Sequence, residues 1–562
     1  MKKIFLLLTI LLPAIYAYGQ SPKWAKKARL AQVTVLATDG QGTLHESQGA
    51  FINEQGDVIT EYDALKGAVK ATVVDIKGNE IPVRYICGAS SMYNVVRLAT
   101  TLPEKYKINV MQQAQSTAKK GEVLCILPNT KADKKAPCAL DTIISTSAFR
   151  DSFTYYTLAH VPAERMATSP VMNGEGELVG LLQMPVGDGK NSYVIDARFI
   201  SALSIGPMDA GDADLNSILI PKRLPDDESA ASSFLYLLGA RDTTGYLAYV
   251  EDFIARFPQS TSGYIMKAEE LVRRKDYAGA DAAYTTGLNQ EGTKKDELHF
   301  SISKAIYSIS QAPDYQPYSD WTIERASKEA QQAFELNPLP FYTSQLGQCL
   351  YAEKKYAEAC QQFLNLAKTN LRSPDNFLYA AQCKQMMQAP DEDILALQDS
   401  AIALFPKPYP REAAAAIMLR AGTKARMGKA RDAVIDYNEY EHLMGGHVSA
   451  TFYYEREQQE VKCRMYPAAL NDIERAIRLL PNEPLFWAES AALNYRVGQT
   501  DEAIKAAQQA IKIDPQFPDP YRILGVCHAD KGERDKARTY LQKAVELGDT
   551  MAQGVLDKLG GK

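Results

Sequence analysis

The chain has 562 residues, and at about 150 residues per domain it holds several folded units, each large enough for its own core. Its 63 basic residues stand against 68 acidic ones for a formal charge of −5, and no dense basic patch exists, so nucleic acid is excluded as an expected partner. Eight cysteines contain no Cys-x-x-Cys pair and only His45 and His160 lie in the first half, which removes zinc-ligand spacing; no metal and no cofactor are expected.

Residues 1–19 begin with Lys2 and Lys3, continue through the apolar run Ile4 to Ile15 and end in Ala17-Tyr18-Gly19, with small residues at the −3 and −1 positions of a cut after Gly19. This pattern predicts a cleaved secretory signal peptide. The run is too short to span a bilayer comfortably, no cysteine follows the cut to carry a lipid, and no other long apolar run exists. The mature chain, with 61 basic and 68 acidic residues and a formal −7, is expected without a membrane span in the periplasm or outside the cell.

Residues 20–205 are broken by Gly, Asn and Pro into short β-rich runs, among them "QVTVLAT", "AVKATVVDI", "EVLCILP" and "SYVIDARFI". Such spacing predicts an all-β barrel or sandwich. Three segments then fall in a familiar order: "QGAFINEQGDVITEYDAL", "SMYNVVRLA" and "RMATSPVMNGEGELVGLL". From Gln32 to Ser204 the chain resembles trypsin-like serine proteases of the HtrA type, which implies two β-barrels and, in the family, a Ser-His-Asp triad. Carried over segment by segment, the histidine position is Asp63, the aspartate position Asn94 and the serine position Ala167. A methyl group cannot attack a carbonyl, Asp63 is a poor replacement for imidazole, and Asn94 cannot stabilise an imidazolium. The family's oxyanion loop contains glycine, whereas "AERMAT" has none. A shifted register with Ser169 as nucleophile would strand Pro170 and still lack a histidine at the 60–63 turn, and His160 would approach from the wrong wall. Cys87, Cys125 and Cys138 precede residue 206 and five cysteines follow it, so neither half pairs off completely and the disulfides stay open.

Residues 206–226, rich in Gly, Asp and Pro, have no period and read as a linker. Beyond them the chain repeats. Trp487 and Tyr521, Ala491 and Gly525, Gly498 and Gly532, Ala503 and Ala537, and Ala510 and Ala544 are each 34 residues apart, and Tyr453, Ala469 and Ala476 continue the phase upstream. Each unit reads as two amphipathic helices with small residues at their contact. This resembles the tetratricopeptide repeat, with about nine units over 227–549 and a capping helix and tail over 550–562. Cys349, Cys383 and Cys527 share one repeat position, where the family usually has alanine, and are expected in the core.

The resemblance implies a protein or peptide partner along the groove of the first helices. Some family members clamp a carboxylate tail with Lys and Asn four residues apart; the corresponding pairs, such as Ser344/Gln348 and Tyr454/Gln458, are not Lys with Asn. Tyr454, Tyr495, Arg496 and Arg522 are the candidate anchors, since repeat phase puts them on the groove side and Tyr and Arg most often anchor interfaces. Two readings result: an exported non-catalytic binding scaffold, and an active trypsin-like endopeptidase whose repeats recruit substrate. The sequence does not specify the oligomeric state.

Overall fold

The computed structural model describes residues 22–128, 137–150, 152–185, 187–241, 245–313 and 318–560. The expected signal peptide and the last two residues of the tail lie outside them. The chain divides into two compact units, Met1–Thr293 and Lys294–Lys562.

The first unit is built on two closed six-stranded antiparallel barrels. Strands β1 (Gln32–Asp39), β2 (Leu44–Phe51), β3 (Asp57–Thr60), β4 (Ala68–Asp75), β5 (Glu80–Ser90) and β6 (Val95–Thr100) close the first in the order β1-β2-β3-β6-β5-β4. Strands β7 (Val123–Ile126), β8 (Ala139–Phe149), β9 (Phe153–Leu158), β10 (Pro170–Met172), β11 (Leu178–Gln183) and β12 (Tyr193–Asp196) close the second in the order β10-β11-β12-β9-β8-β7. The "QVTVLAT" alternation sends Val33, Val35 and Ala37 inward to meet Val73, Ile81, Ile86 and Leu98. Leu124, Ile126, Ile143, Tyr156, Val171, Leu182 and Val194 fill the second barrel. Ile59, Val95, Met111, Leu181, Ile195 and Phe199 form a third cluster that joins the two. Gly180 is required at that seam, because a Cβ there would stand 2.0 Å from the Ile195 carbonyl oxygen. Cys125 on β7 and Cys138 beside β8 form a disulfide, while Cys87 is a buried thiol.

The stretch expected as a linker corrects that expectation. Ala210, Leu215, Ile218, Ile220 and Leu224 are buried in the same cluster as the first barrel's interior. Ile86 N–H donates to the Pro221 carbonyl at 2.8 Å and Arg223 N–H to the Ile86 carbonyl at 2.8 Å, so the stretch adds a short parallel edge to β5. Phe234, Leu235, Val250 and Phe253 from helices Glu228–Gly239 and Tyr246–Arg256 complete the cluster. The unit continues through helices Thr261–Arg273 and Tyr277–Asn289.

Among the described residues of the second unit, seven helix pairs follow one another and helix Thr550–Gly560 ends the series. The pairs are Lys295–Ser310 with Ile323–Leu336, Pro340–Ala352 with Tyr356–Leu366, Pro374–Met386 with Asp391–Ile402, Ala414–Arg426 with Ala430–Leu443, Ala450–Lys462 with Tyr466–Leu479, Pro484–Arg496 with Thr500–Ile513, and Asp519–Asp530 with Arg534–Glu546. The in-phase alanines Ala469, Ala476, Ala503, Ala510, Ala537 and Ala544 are completely buried, where any larger side chain would push the helices apart. Cys349, Cys383 and Cys527 are buried as well, and burial pushes the Cys527 thiol up to about 11 and the Cys383 thiol up to about 12.

Candidate functional site

Three loops of the first unit converge on one cavity of about 410 Å³. Asp63 opens the single 3-10 turn after β3, Asn94 precedes β6, and Ala167 follows the 3-10 turn Glu164–Met166 before β10. All three line the cavity, together with Glu61 and the rings of Tyr93, Tyr155 and Tyr193. The Asn94 side-chain oxygen accepts the Asp63 backbone N–H at 2.9 Å, so it ties down backbone and orients no base.

The turn before β10 uses its own donors. Met166 N–H donates to the Ala163 carbonyl at 2.8 Å and Ala167 N–H to the Glu164 carbonyl at 2.9 Å. Neither amide is left for an oxyanion. Thr168 follows with φ +59°, a left-handed conformation that a β-branched residue seldom adopts. It is held there by its N–H on the Leu182 carbonyl at 3.0 Å and its hydroxyl on the Ala167 carbonyl at 2.7 Å. Ser169 is buried with its hydroxyl unbonded and does not line the cavity.

Among the described residues no histidine lines the cavity. His160 pairs through Nδ1 with Asp141 at 3.0 Å, and its backbone N–H donates to the same carboxylate; His45 lies 3.4 Å from Asp39. Burial, and then the neighbouring Asp63 charge, hold the Glu61 carboxyl above its ordinary range. Burial pushes the Tyr155 hydroxyl up to about 12, and it donates to Gln183 Oε1 at 2.6 Å. The cavity thus presents carboxylates, phenols and a methyl group.

The four candidate anchors of the repeats differ in exposure and in what holds them. Tyr454 is half-buried against Phe486, with ring centroids 5.6 Å apart. Tyr495 is half-buried and donates its hydroxyl to Asp530 at 2.7 Å. Arg522 is held by Asp549 at 2.6 Å and Asp519 at 2.7 Å. Only Arg496 of the four is exposed, its guanidinium 5.9 Å from the Tyr466 ring. The expectation that all four stand free of the core fails for the two tyrosines, whose rings pack between helices.

Sequence reasoning missed a charged interior in the same helices. Arg456 is buried and donates to both oxygens of Asp472, at 2.6 and 2.9 Å; one pair earlier, Arg420 does the same to Asp436 at 2.8 Å on each. Beside Arg456, Glu457 is fully buried with Oε1 unbonded. Burial, and then the Glu489 charge, push its carboxyl up to about 8. The signal was available, since Glu457 stands one period before Ala491 and two before Gly525, both small. Among the described residues no group of three His, Cys, Asp or Glu could hold a metal ion, and no helix is long and apolar enough to cross a membrane.

Residues 464–518 and 495–556 match models of the tetratricopeptide repeat. Over 82 residues the chain is 40% identical to the small glutamine-rich tetratricopeptide repeat-containing protein 2 of Mycosarcoma maydis, covering 15% of this chain and 23% of that protein. The protein of the same description in Saccharomyces cerevisiae is 30% identical over 91 residues, or 16% and 26% of the two chains. The matched segment therefore spans about a quarter of the length of these curated relatives. Among solved structures, YrrB, described as a TPR protein with an unusual peptide-binding site, is similar over 35% of this chain and 99% of its own, at 22% identity and a TM-score of 0.31. The HtrA-type protease AlgW with tripeptide is similar over 32% and 62%, at 14% identity and a TM-score of 0.27. The chain carries tetratricopeptide repeats, and they follow two closed six-stranded β-barrels.

Proposed function

We propose that the chain is an exported, non-catalytic scaffold that binds protein or peptide partners through its repeat helices. The observation that carries the reading is the cavity lined by Asp63, Asn94 and Ala167, where no nucleophile meets a base. Acyl transfer needs an activated nucleophile within hydrogen-bond reach of its base, and donors aimed at the oxyanion. Ala167 has no reactive atom, and the Met166 and Ala167 amides are bonded within their own turn. The Cys125–Cys138 disulfide supports export, because such bonds persist in oxidising compartments. Partner binding rests on the repeats, whose helix pairs present long faces suited to extended segments or helices.

The test has two arms. The purified mature protein is treated with a fluorophosphonate probe and assayed on casein; labelling or steady cleavage abolished by Ser169→Ala would establish the endopeptidase reading instead. Affinity capture from the source envelope with the full chain, repeated with Arg496→Glu, asks whether recovery of a partner depends on the exposed repeat face.

A further inference from the structure

The first unit holds a larger cavity, about 860 Å³, away from the protease-like cleft. Its walls come from β5, from the buried stretch after residue 205 and from helices Glu228–Gly239 and Tyr246–Arg256. Tyr85, Leu215, Phe234, Leu238 and Tyr249 make it mainly apolar, and Leu219, 60% exposed, stands on its lining as a large apolar side chain left in solvent. The volume is that of a site for a small organic molecule.

The charges around this cavity do not cancel. Arg84 lies 3.5 Å from Asp252, and Tyr85 donates to the same carboxylate at 2.9 Å, so Asp252 is satisfied. Asp209 accepts the Gly206 N–H at 2.7 Å. Two cations remain. Lys222 Nζ donates only to main-chain carbonyls, those of Ile218 and of Ile220, the latter at 3.0 Å. An ammonium has three protons to donate, so one is left over. Arg241 lies with its guanidinium over Gly211, where a Cβ would come within 2.5 Å of Nη1. Among the described residues neither Lys222 nor Arg241 has a carboxylate partner. Burial without a counter-ion pulls the Lys222 amine down to about 8, a cost that an anion in the cavity would reverse.

We propose that this cavity binds a free medium-chain carboxylate, with its alkyl chain against Phe234, Leu238 and Tyr249 and its head on Lys222 Nζ beside Arg241. A single leftover ammonium proton and one guanidinium suit a monoanion. The apolar wall of Phe234, Leu238 and Tyr249 suits an unbranched or aromatic body.

The test uses the full-length mature chain and the fluorescent probe dansylaminoundecanoate. The probe binds, decanoate displaces it, and decanol and decyltrimethylammonium displace it at least about tenfold less well, as expected for a charged hydrogen bond. Lys222→Gln weakens decanoate about tenfold or more with helix content and melting temperature unchanged. Leu219→Glu, at an exposed position where folding is insensitive, also weakens it by setting a negative charge at the lining. Equal displacement by decanol, or decanoate affinity unaltered in both variants, overturns the proposal. So does co-sedimentation with phosphatidylglycerol vesicles in the absence of displacement by free decanoate, which would assign the face to lipid headgroups.

Discussion

Replacing Glu457 with glutamine should stabilise the repeats in a manner set by pH. The carboxyl sits fully buried on helix Ala450–Lys462, with Oε1 unbonded and Oε2 accepting from the Gln458 amide at 2.7 Å. Burial first, and then repulsion from Glu489, raise it from an ordinary value of 4.5 to about 8. In the unfolded chain this proton leaves near the ordinary value, whereas the folded chain keeps it to the higher one. Between the two the native state binds the extra proton, so the stability present below pH 4.5 is lost progressively and is fully gone above pH 8. At about 1.4 kcal/mol per pH unit, the loss from this group is on the order of 5 kcal/mol. Glu460, raised to about 7 by burial and Asp472, has the same sign. Glutamine keeps the shape and carries no proton to lose. Guanidinium unfolding followed by helical circular dichroism should therefore find Glu457→Gln close to the parent at pH 5 and more stable by roughly 3 kcal/mol or more at pH 9. A difference that does not change with pH, or a variant weaker at pH 9, would refute the reasoning.

Other outcomes follow from the same structure. Ala167→Ser should acquire neither fluorophosphonate labelling nor casein cleavage, because a serine there has no base and the turn's amides are already bonded. Gly180→Ala should lower the stability of the barrels by a core-overpacking amount, about 1–3 kcal/mol, and the melting temperature with it, since its Cβ would collide with the Ile195 carbonyl; a calorimetric scan matching the parent contradicts the close approach. Arg456→Met should be better tolerated together with Asp472→Leu than alone, because the single change leaves a buried carboxylate unpaired; double-mutant unfolding curves decide it. With a captured partner in hand, Arg496→Ala should reduce affinity without altering the melting temperature, whereas Arg522→Ala should lower that temperature by breaking two ion pairs.

The parts of this fold that were legible in the sequence are those where one face of an element alone meets the core. The inward run Val33, Val35, Ala37 and the in-phase alanines of the repeats are of that kind, since period and burial coincide. Asp63, Asn94 and Ala167 were found from motif order, and the structure brings them to one cavity. The buried Arg456–Asp472 and Arg420–Asp436 pairs were not found, because a charged residue in a helix reads as solvent-facing until its partner sixteen residues on is seen to point at it. Tyr454 and Tyr495 misled for the opposite reason: an amphipathic ring can lie between helices and keep only its hydroxyl wet. The stretch after residue 205 is not legible as a folded element, because its apolar residues Leu215, Ile218, Ile220 and Leu224 keep neither a helix nor a strand spacing throughout.

That stretch also bears on how such a chain can be inherited. A recombination breakpoint between residues 206 and 226 would give one descendant a barrel stripped of its apolar cover and the other a set of helices with Phe234 and Phe253 facing water. Neither product would be expected to persist. The barrels, the stretch that follows them and the helices Glu228–Gly239 and Tyr246–Arg256 therefore travel through evolution as one block.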